Sequence, residues 1–436
     1  MSRAAHAARR GRFMDGMGPR SVALFRAPSE KTRNGDVTFP FRQSSDILYL
    51  TGFAEPESAL VLCPGAAKER AILFVRPRDP ERETWEGRRA GPDGACRDFG
   101  VDAAYPIQEL STRLPTLLAG VDDLHYSLGL DAELDAQVAS LIARMRLAER
   151  RMGSPPKRVV DPRCILHELR LRKSPEELEH LARAVAITHE AHVAAMRAAK
   201  PGAWEYELEA LVNYTFRRHG ASGPGYDTIV GSGDNATILH YTENDALLAA
   251  GTLVLIDAGA EFQSYTADVT RTFPCGGRFT PPQRRCYEIV LRAQEEAIRM
   301  TRPGVTIDDI HERTIEILVE GMLELGLLQG TVKERIADGS YRKYYMHRTS
   351  HWLGMDVHDA GAYLTDVGRA RPLEEGMVIT IEPGLYIPRD DSAAPDDMRG
   401  IGIRIEDDVL VTDDGHRNLT ASIPKKPDDI EATCRG

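Results

Sequence analysis

The chain reads as two domains: an α/β domain at the N-terminal end, then an internally duplicated α+β domain. Three observations lead there. At 436 residues the chain is long for a single core. Its first part alternates short apolar strands with amphipathic stretches. Its second part uses one phrase twice: GTLVLIDAG at 251–259 and GMVITIEPG at 376–384 each run from a glycine through a mostly apolar stretch to a carboxylate six residues on, with a second glycine two further.

Taken in order, the first domain shows apolar runs at 21–25, 46–53, 59–63 and 71–75, expected as strands, and amphipathic stretches at 107–118 and 132–150, expected as helices. Gly153-Ser154-Pro155-Pro156 breaks the pattern and reads as a linker. Ser174-Pro175-Glu176-Glu177 has the form of a capping box with proline at the first helical position, opening a long helix to about Ala199. Thr280-Pro281-Pro282-Gln283 opens another in the same way. These signals set the domains at 1–172 and 173–436.

The repeated phrase carries the chemistry. Each copy ends an apolar strand on an acid, Asp257 or Glu382, where a carboxylate is costly unless paired, hydrogen-bonded or bound to a cation. A second acid follows each: Asp268 in a stretch rich in Tyr, Thr, Val and Phe, and Glu406 in GIGIRIEDDVLVT. Strand alternation puts Asp268 on one face with Thr270 and Thr272, and Glu406 with Arg404, so Arg404 looks into the same site. Between the copies lies MHRTSHWLGMDVHD, with His347, His351 and His358. Four acids and one imidazole suit two divalent ions held largely by oxygen, a pair that holds a hydroxide at neutral pH and polarises a carbonyl. Singly, each residue has a plainer reading, as a turn former, a solvated strand acid or a surface histidine. The common order and setting of the acids favour a hydrolytic metal centre.

Other readings are excluded. A net charge of −11 argues against nucleic acid and anionic membranes, and no apolar stretch is long enough for a membrane span. The opening MSRAAHAARRGRF is basic but lacks an apolar signal region. Six cysteines without a CxxC pair fit a reduced cytoplasm. GSGDNA at 231–236 matches a dinucleotide fingerprint in form, but TILHYTEN follows where a long helix should begin. His347 and His351 have the spacing of HExxH, with Arg348 where the catalytic Glu is required.

The order Asp257, Asp268, His351, Glu382, Glu406, with SHWLGMDVHD, TIEPGLYI and GIGIRIEDD around the last three, resembles the metallopeptidases of the pita-bread fold, and within them the bacterial Xaa-Pro aminopeptidases. FPFRQSSDILYLTGF, ETWEGRRAGPDGA, ELRLRKSPEE, YDTIVGSGDNATILHYTEN and DVTRTFP extend the likeness over both halves. The resemblance implies that Asp257 and Asp268 hold one ion, His351 and Glu382 the other, with Asp268 and Glu406 bridging. It favours manganese, with cobalt, iron or zinc as alternatives.

It also implies attack by a bridging hydroxide on the carbonyl before proline, with Glu382 carrying a proton, His358 stabilising the oxyanion and His240 near the substrate carbonyl. His347, Tyr386 and Arg404 then shape the proline pocket. Trp85 is expected either at the interface of a homo-oligomer, dimer or tetramer, where it reaches a neighbour's site, or in local packing. The partners implied are peptides beginning Xaa-Pro. Prolidase, which cuts only dipeptides, is the nearest alternative; a creatinase-type enzyme needs no metal, and a non-catalytic binding module is expected to have lost ligands. One departure stands out: where relatives commonly read HGLSHWLG, this chain has Arg348 and Thr349 in place of Gly and Leu, which leaves the ligand histidine intact and alters the loop beside it.

Overall fold

A computed structural model describes all 436 residues, which form two compact units, Met1–Arg170 and Leu171–Gly436. The first is built on a six-stranded mixed sheet in the order Ala103–Pro106, Ala71–Val75, Ala59–Leu62, Ser21–Arg26, Asp123–Tyr126, Arg158–Val160. The central strand Ser21–Arg26 runs antiparallel to Ala59–Leu62 and parallel to Asp123–Tyr126. Its apolar side chains are buried throughout, as sheet strands covered by helices require. Val22, Leu24, Val61 and Phe74 form the core with Leu114, Leu118, Leu141 and Met145 of the flanking helices Leu110–Leu118 and Ala132–Leu147.

One expectation fails in this unit. The apolar run 46–53 is not a strand but the helix Ser45–Thr51, closed by Gly52 in the left-handed conformation, whose N–H donates to Leu48 O. DILYL has no alternation, so period alone does not separate a buried strand from a buried helix, and burial on nearly every face allows the helix. The Gly153–Pro156 stretch is a linker between elements of this unit. It joins the helix Glu149–Met152 to the edge strand Arg158–Val160 within the same unit.

The second unit repeats one arrangement. In its first half the helices Pro175–Ala198 and Glu205–Arg218 pack together ahead of an antiparallel sheet, Ile229–Ser232, Leu253–Asp257 and Thr270–Pro274. In its second half Pro281–Met300 and Ile307–Glu324 pack together ahead of Val378–Ile381, Asp407–Val411 and His416–Asn418. Here Trp352 bridges Ile379 on the side where Ile229–Ser232 pairs with its strand in the first half. Both long-helix capping boxes are present, at Ser174/Glu177 and Thr280/Gln283.

The glycines of the repeated phrase now have reasons. Gly251 and Gly376 enter their strands with φ of +79° and +85°, a turn that L side chains avoid. A β-carbon on Gly259 would overlap the carbonyl oxygen of Ala267, and one on Gly384 the hydroxyl of Tyr386. The second glycine of each phrase therefore lets the segment that follows lie against the acid-bearing strand.

Candidate metal centre and peptide cavity

Asp257 ends the strand Leu253–Asp257, and Glu382 lies one residue past Val378–Ile381. Asp268 precedes Thr270–Pro274, and Glu406 sits between Ile401–Arg404 and Asp407–Val411. The two halves meet at these positions. Glu406 N donates to Thr270 O at 3.1 Å, and the Thr270 hydroxyl donates to Glu406 Oε2 at 2.7 Å. Period-2 alternation sorts the charges: Arg404 reaches inward, while Arg271, on the opposite face, meets Asp407 at 2.7 Å with both side chains fully buried.

Asp257, Asp268, His351, Glu382 and Glu406 all line one cavity of about 820 Å³, together with His240, His347, His358 and Arg404. Donor atoms of Asp268, His351 and Glu406 lie within 4.8 Å of one another. His351 Nε2 is 3.3 Å from Asp268 Oδ2 and 3.5 Å from Glu382 Oε1. Its Nδ1 lies 3.0 Å from Trp352 O, a contact that fixes Nδ1 as the protonated nitrogen and turns Nε2 to the acids.

The electrostatics fit a cation. Burial, reinforced by the neighbouring acids, holds the Glu406 carboxyl well above the usual range and raises that of Asp268. Burial also pushes Glu382 up to about 7. His351 goes the other way: burial opposes its charge, but the hydrogen bond with Asp268 and the charge of Glu382 bring it up to about 9. Such a cluster stays protonated unless positive charge compensates it. Its carboxylate oxygens and single imidazole are the donors that divalent ions take.

Asp257 differs, because it is already partnered. Arg404 Nη2 donates to Asp257 Oδ2 at 2.6 Å, and the Tyr226 hydroxyl lies 2.7 Å from Asp257 Oδ1 and 2.5 Å from Asp268 Oδ1. A phenol carries one proton, so it donates to one carboxylate while the other must supply its own. Tyr226 has no sequence signal of its own. It stands in the loop before Ile229–Ser232, inside a motif that reads only as a strand lead-in.

His347 is held by Tyr386 Oη at 2.8 Å and by Arg348 O at 2.8 Å, and burial, then the charge of Arg404, pushes it down to about 3, so it is neutral. Tyr386 itself is fully buried behind the cavity wall, with Arg404 Nη1 3.2 Å from its hydroxyl. His240 and His358 are exposed on the cavity wall, and the rings of His351 and His358 meet edge-on at 4.5 Å. Trp85, in the first unit, is 89% exposed on the helix Pro80–Glu86. Thr349 is fully buried, with its hydroxyl 2.8 Å from His311 Nδ1 and 2.7 Å from Tyr345 Oη. Residues 344–350 are irregular rather than helical, so the HExxH spacing has no structural counterpart. Sequence reading also missed Tyr363, Leu364 and Arg371, which reach the cavity from a hairpin in which Leu364 bridges Ala370.

Comparison with known proteins agrees with this geometry. Residues 179–413 match the model of "Metallopeptidase family M24", and residues 6–125 match "Aminopeptidase P, N-terminal domain". The chain is 47% identical to the Xaa-Pro aminopeptidase of Escherichia coli K12, over 97% of this chain and 96% of that one. It is 40% identical to human Xaa-Pro aminopeptidase 3, over 92% and 78%. Among solved structures, Pseudomonas aeruginosa aminopeptidase PepP superposes with a TM-score of 0.97 at 45% identity, over 100% and 98% of the two chains. A variant of Escherichia coli aminopeptidase P in complex with substrate gives 0.95 at 46% identity, over the same shares. With both domain models matched in order and near full-length relatives on either side, the chain belongs to metallopeptidase family M24, in its aminopeptidase P branch.

Proposed function

We propose that this chain is a metal-dependent aminopeptidase that releases the first residue from peptides with proline in second place. The observation that carries the reading is the complete set Asp257, Asp268, His351, Glu382 and Glu406 around one cavity, in a chain whose near full-length relatives are named Xaa-Pro aminopeptidases. A non-catalytic module on the same fold has no need of that set.

The donors suit two divalent ions: Asp257 and Asp268 would hold one and His351 and Glu382 the other, with Asp268 and Glu406 in reach of both. Manganese is our choice, with cobalt, iron or zinc as alternatives. Bound there, such ions supply Lewis acidity toward a carbonyl oxygen and lower the pKa of a water. The chain supplies the rest. Expelling an unprotonated amide nitrogen is prohibitive, and Glu382, a carboxylate lining the cavity beside His351, is placed to take and give a proton. We assign it delivery of that proton to the proline nitrogen. His358, on the cavity wall with its pKa lowered by partial desolvation and by the charge of His351, has an N–H to offer a developing oxyanion. His240, His347 and Arg404 shape the proline pocket, with Tyr386 bracing the last two from behind.

Peptide substrates beginning Xaa-Pro are the proposed partners. We further propose a homo-oligomer, dimer or tetramer, in which a neighbouring subunit covers Trp85; the exposure of that indole supports it. A cytoplasmic location is proposed from the scattered cysteines, and no helix is long and apolar enough to cross a membrane.

A peptide panel read by mass spectrometry, with chelated and manganese-restored enzyme side by side, tests the reading. Restored enzyme should release the first residue from Xaa-Pro-Yaa and longer peptides, fail on N-acetylated ones, and lose most of its rate when alanine replaces proline. Cleavage of Xaa-Pro dipeptides with no action on tripeptides would make the enzyme a prolidase instead.

A further inference from the structure

The cavity is polarised. Its buried floor holds Asp257, Asp268, Glu382 and Glu406, whereas its solvent-facing edge carries the guanidinium of Arg348, with a side chain 59% exposed. A peptide has the complementary polarity, ammonium at one end and carboxylate at the other. If the free amino end lies toward the acids, the chain beyond proline leaves past Arg348 and its partner Asp308.

Arg348 is equipped to meet it. Its backbone is fixed on both sides: the His347 ring lies 2.8 Å from its carbonyl oxygen, and Thr349 is locked between His311 and Tyr345. The side chain contacts only Asp308, in the first turn of Ile307–Glu324, through Nη2, leaving Nε and Nη1 without a protein partner. Asp308 is itself 48% exposed, and an ion pair this open to water is weakly held and yields readily to a better-placed carboxylate. A guanidinium presents its donors as a fork that matches a carboxylate edge to edge.

We infer that Arg348 is a specificity-determining residue that reads a carboxylate on the leaving side of the scissile bond. The inference rests on the aminopeptidase reading above. Two sources carry the same chemistry, the C-terminal carboxylate of a tripeptide and an acidic side chain in third position, and the test separates them.

Two substrate pairs are compared in the manganese-loaded enzyme: Xaa-Pro-Gly against its C-terminal amide, and Xaa-Pro-Asp-amide against Xaa-Pro-Asn-amide. Each pair differs by one negative charge, and the ratio of kcat/KM within a pair is the readout, whatever the absolute rate of a variant. The native enzyme should prefer the charged member of at least one pair by about 10-fold, the scale of one charge-assisted hydrogen bond, chiefly through KM. Arg348→Gln should bring that ratio close to 1, while Arg348→Lys, which keeps the charge and loses the fork, should hold an intermediate value. Collapse of the first ratio identifies the chain terminus as the group read, and collapse of the second the side chain. Ratios that stay the same in Arg348→Gln as in the native enzyme, or that are near 1 in the native enzyme, overturn the inference while leaving the aminopeptidase reading intact. No cleavage of any of the four peptides would overturn that reading and the inference with it.

Discussion

Asp257 and Glu382 occupy the same place in the two copies of one phrase, yet they are held in opposite ways. Asp257 has a full arginine charge at 2.6 Å and a phenol at 2.7 Å. Glu382 has neither. Its nearest basic groups are His351 at 3.5 Å and the neutral His347 at 3.8 Å, and burial lifts its carboxyl to about 7. The two copies of the phrase thus place two acids in equivalent frames, and their neighbours differ: Asp257 is held by an arginine and a phenol, whereas Glu382 lies among histidines.

The largest effect should come from Asp268 and Glu406, the acids proposed to serve both ions. Asp268→Asn or Glu406→Gln is expected to lose more than ~100-fold in activity together with metal, since even supporting partners of a metal ligand are worth ~10–100-fold in affinity. Full activity with less than one metal per chain, measured by elemental analysis, would break the picture of a shared centre.

Glu382→Gln should cost ~10²–10⁴ in kcat, the range of general acid–base catalysis. It should also change proton release. In the metal-free protein Glu382 is protonated below about 7 and His351 below about 9, and a metal needs both deprotonated. Metal affinity should therefore weaken as pH falls through these values, with protons released on binding. Calorimetry in buffers of different ionisation enthalpy should count fewer released protons near pH 6 for Glu382→Gln than for Asp257→Asn. Equal loss in the two variants would erase the distinction between the halves.

His358→Ala should lower turnover by ~10²-fold with metal content near normal, the usual cost of removing a transition-state donor. Unchanged turnover would assign His358 to structure. The smallest effect is expected from Tyr386→Phe, which takes a hydrogen-bond partner from His347 and Arg404. About 10-fold or less, mainly in KM for proline substrates, fits the loss of a bracing contact. A loss as large as that of His358→Ala would place the Tyr386 hydroxyl in the chemistry.

Much of the centre was legible because strand period is rigid. Asp268 with Thr270, and Glu406 with Arg404, follow from alternation alone, and the repeated glycines mark where the acids fall. Tyr226 was not legible, because a side chain delivered from a loop obeys no period. Nor was the helix Ser45–Thr51, whose evenly apolar run fits either state, or the Tyr363–Arg371 hairpin, whose lining residues look like ordinary surface. Thr349 showed in the sequence only as a departure beside the ligand histidine, and only three dimensions bring it His311 and Tyr345.

Arg271 and Asp407 sit back to back with the centre, each adjacent in sequence to a residue that faces it, Thr270 and Glu406. Arg271 also donates to the carbonyls of Glu406, Ile423 and Pro424, and Asp407 accepts from Lys425 and Gln294. Removing one member of such a buried pair costs about 3–5 kcal/mol. The greater consequence concerns how this part of the gene can vary. Substitutions can be screened one position at a time, but a single-codon insertion or deletion within either strand would turn the structural pair into the cavity and a cavity-facing acid into the scaffold. Length in these two strands is therefore frozen, and diversification of the enzyme is confined to replacing side chains and to loops such as the one that carries Arg348.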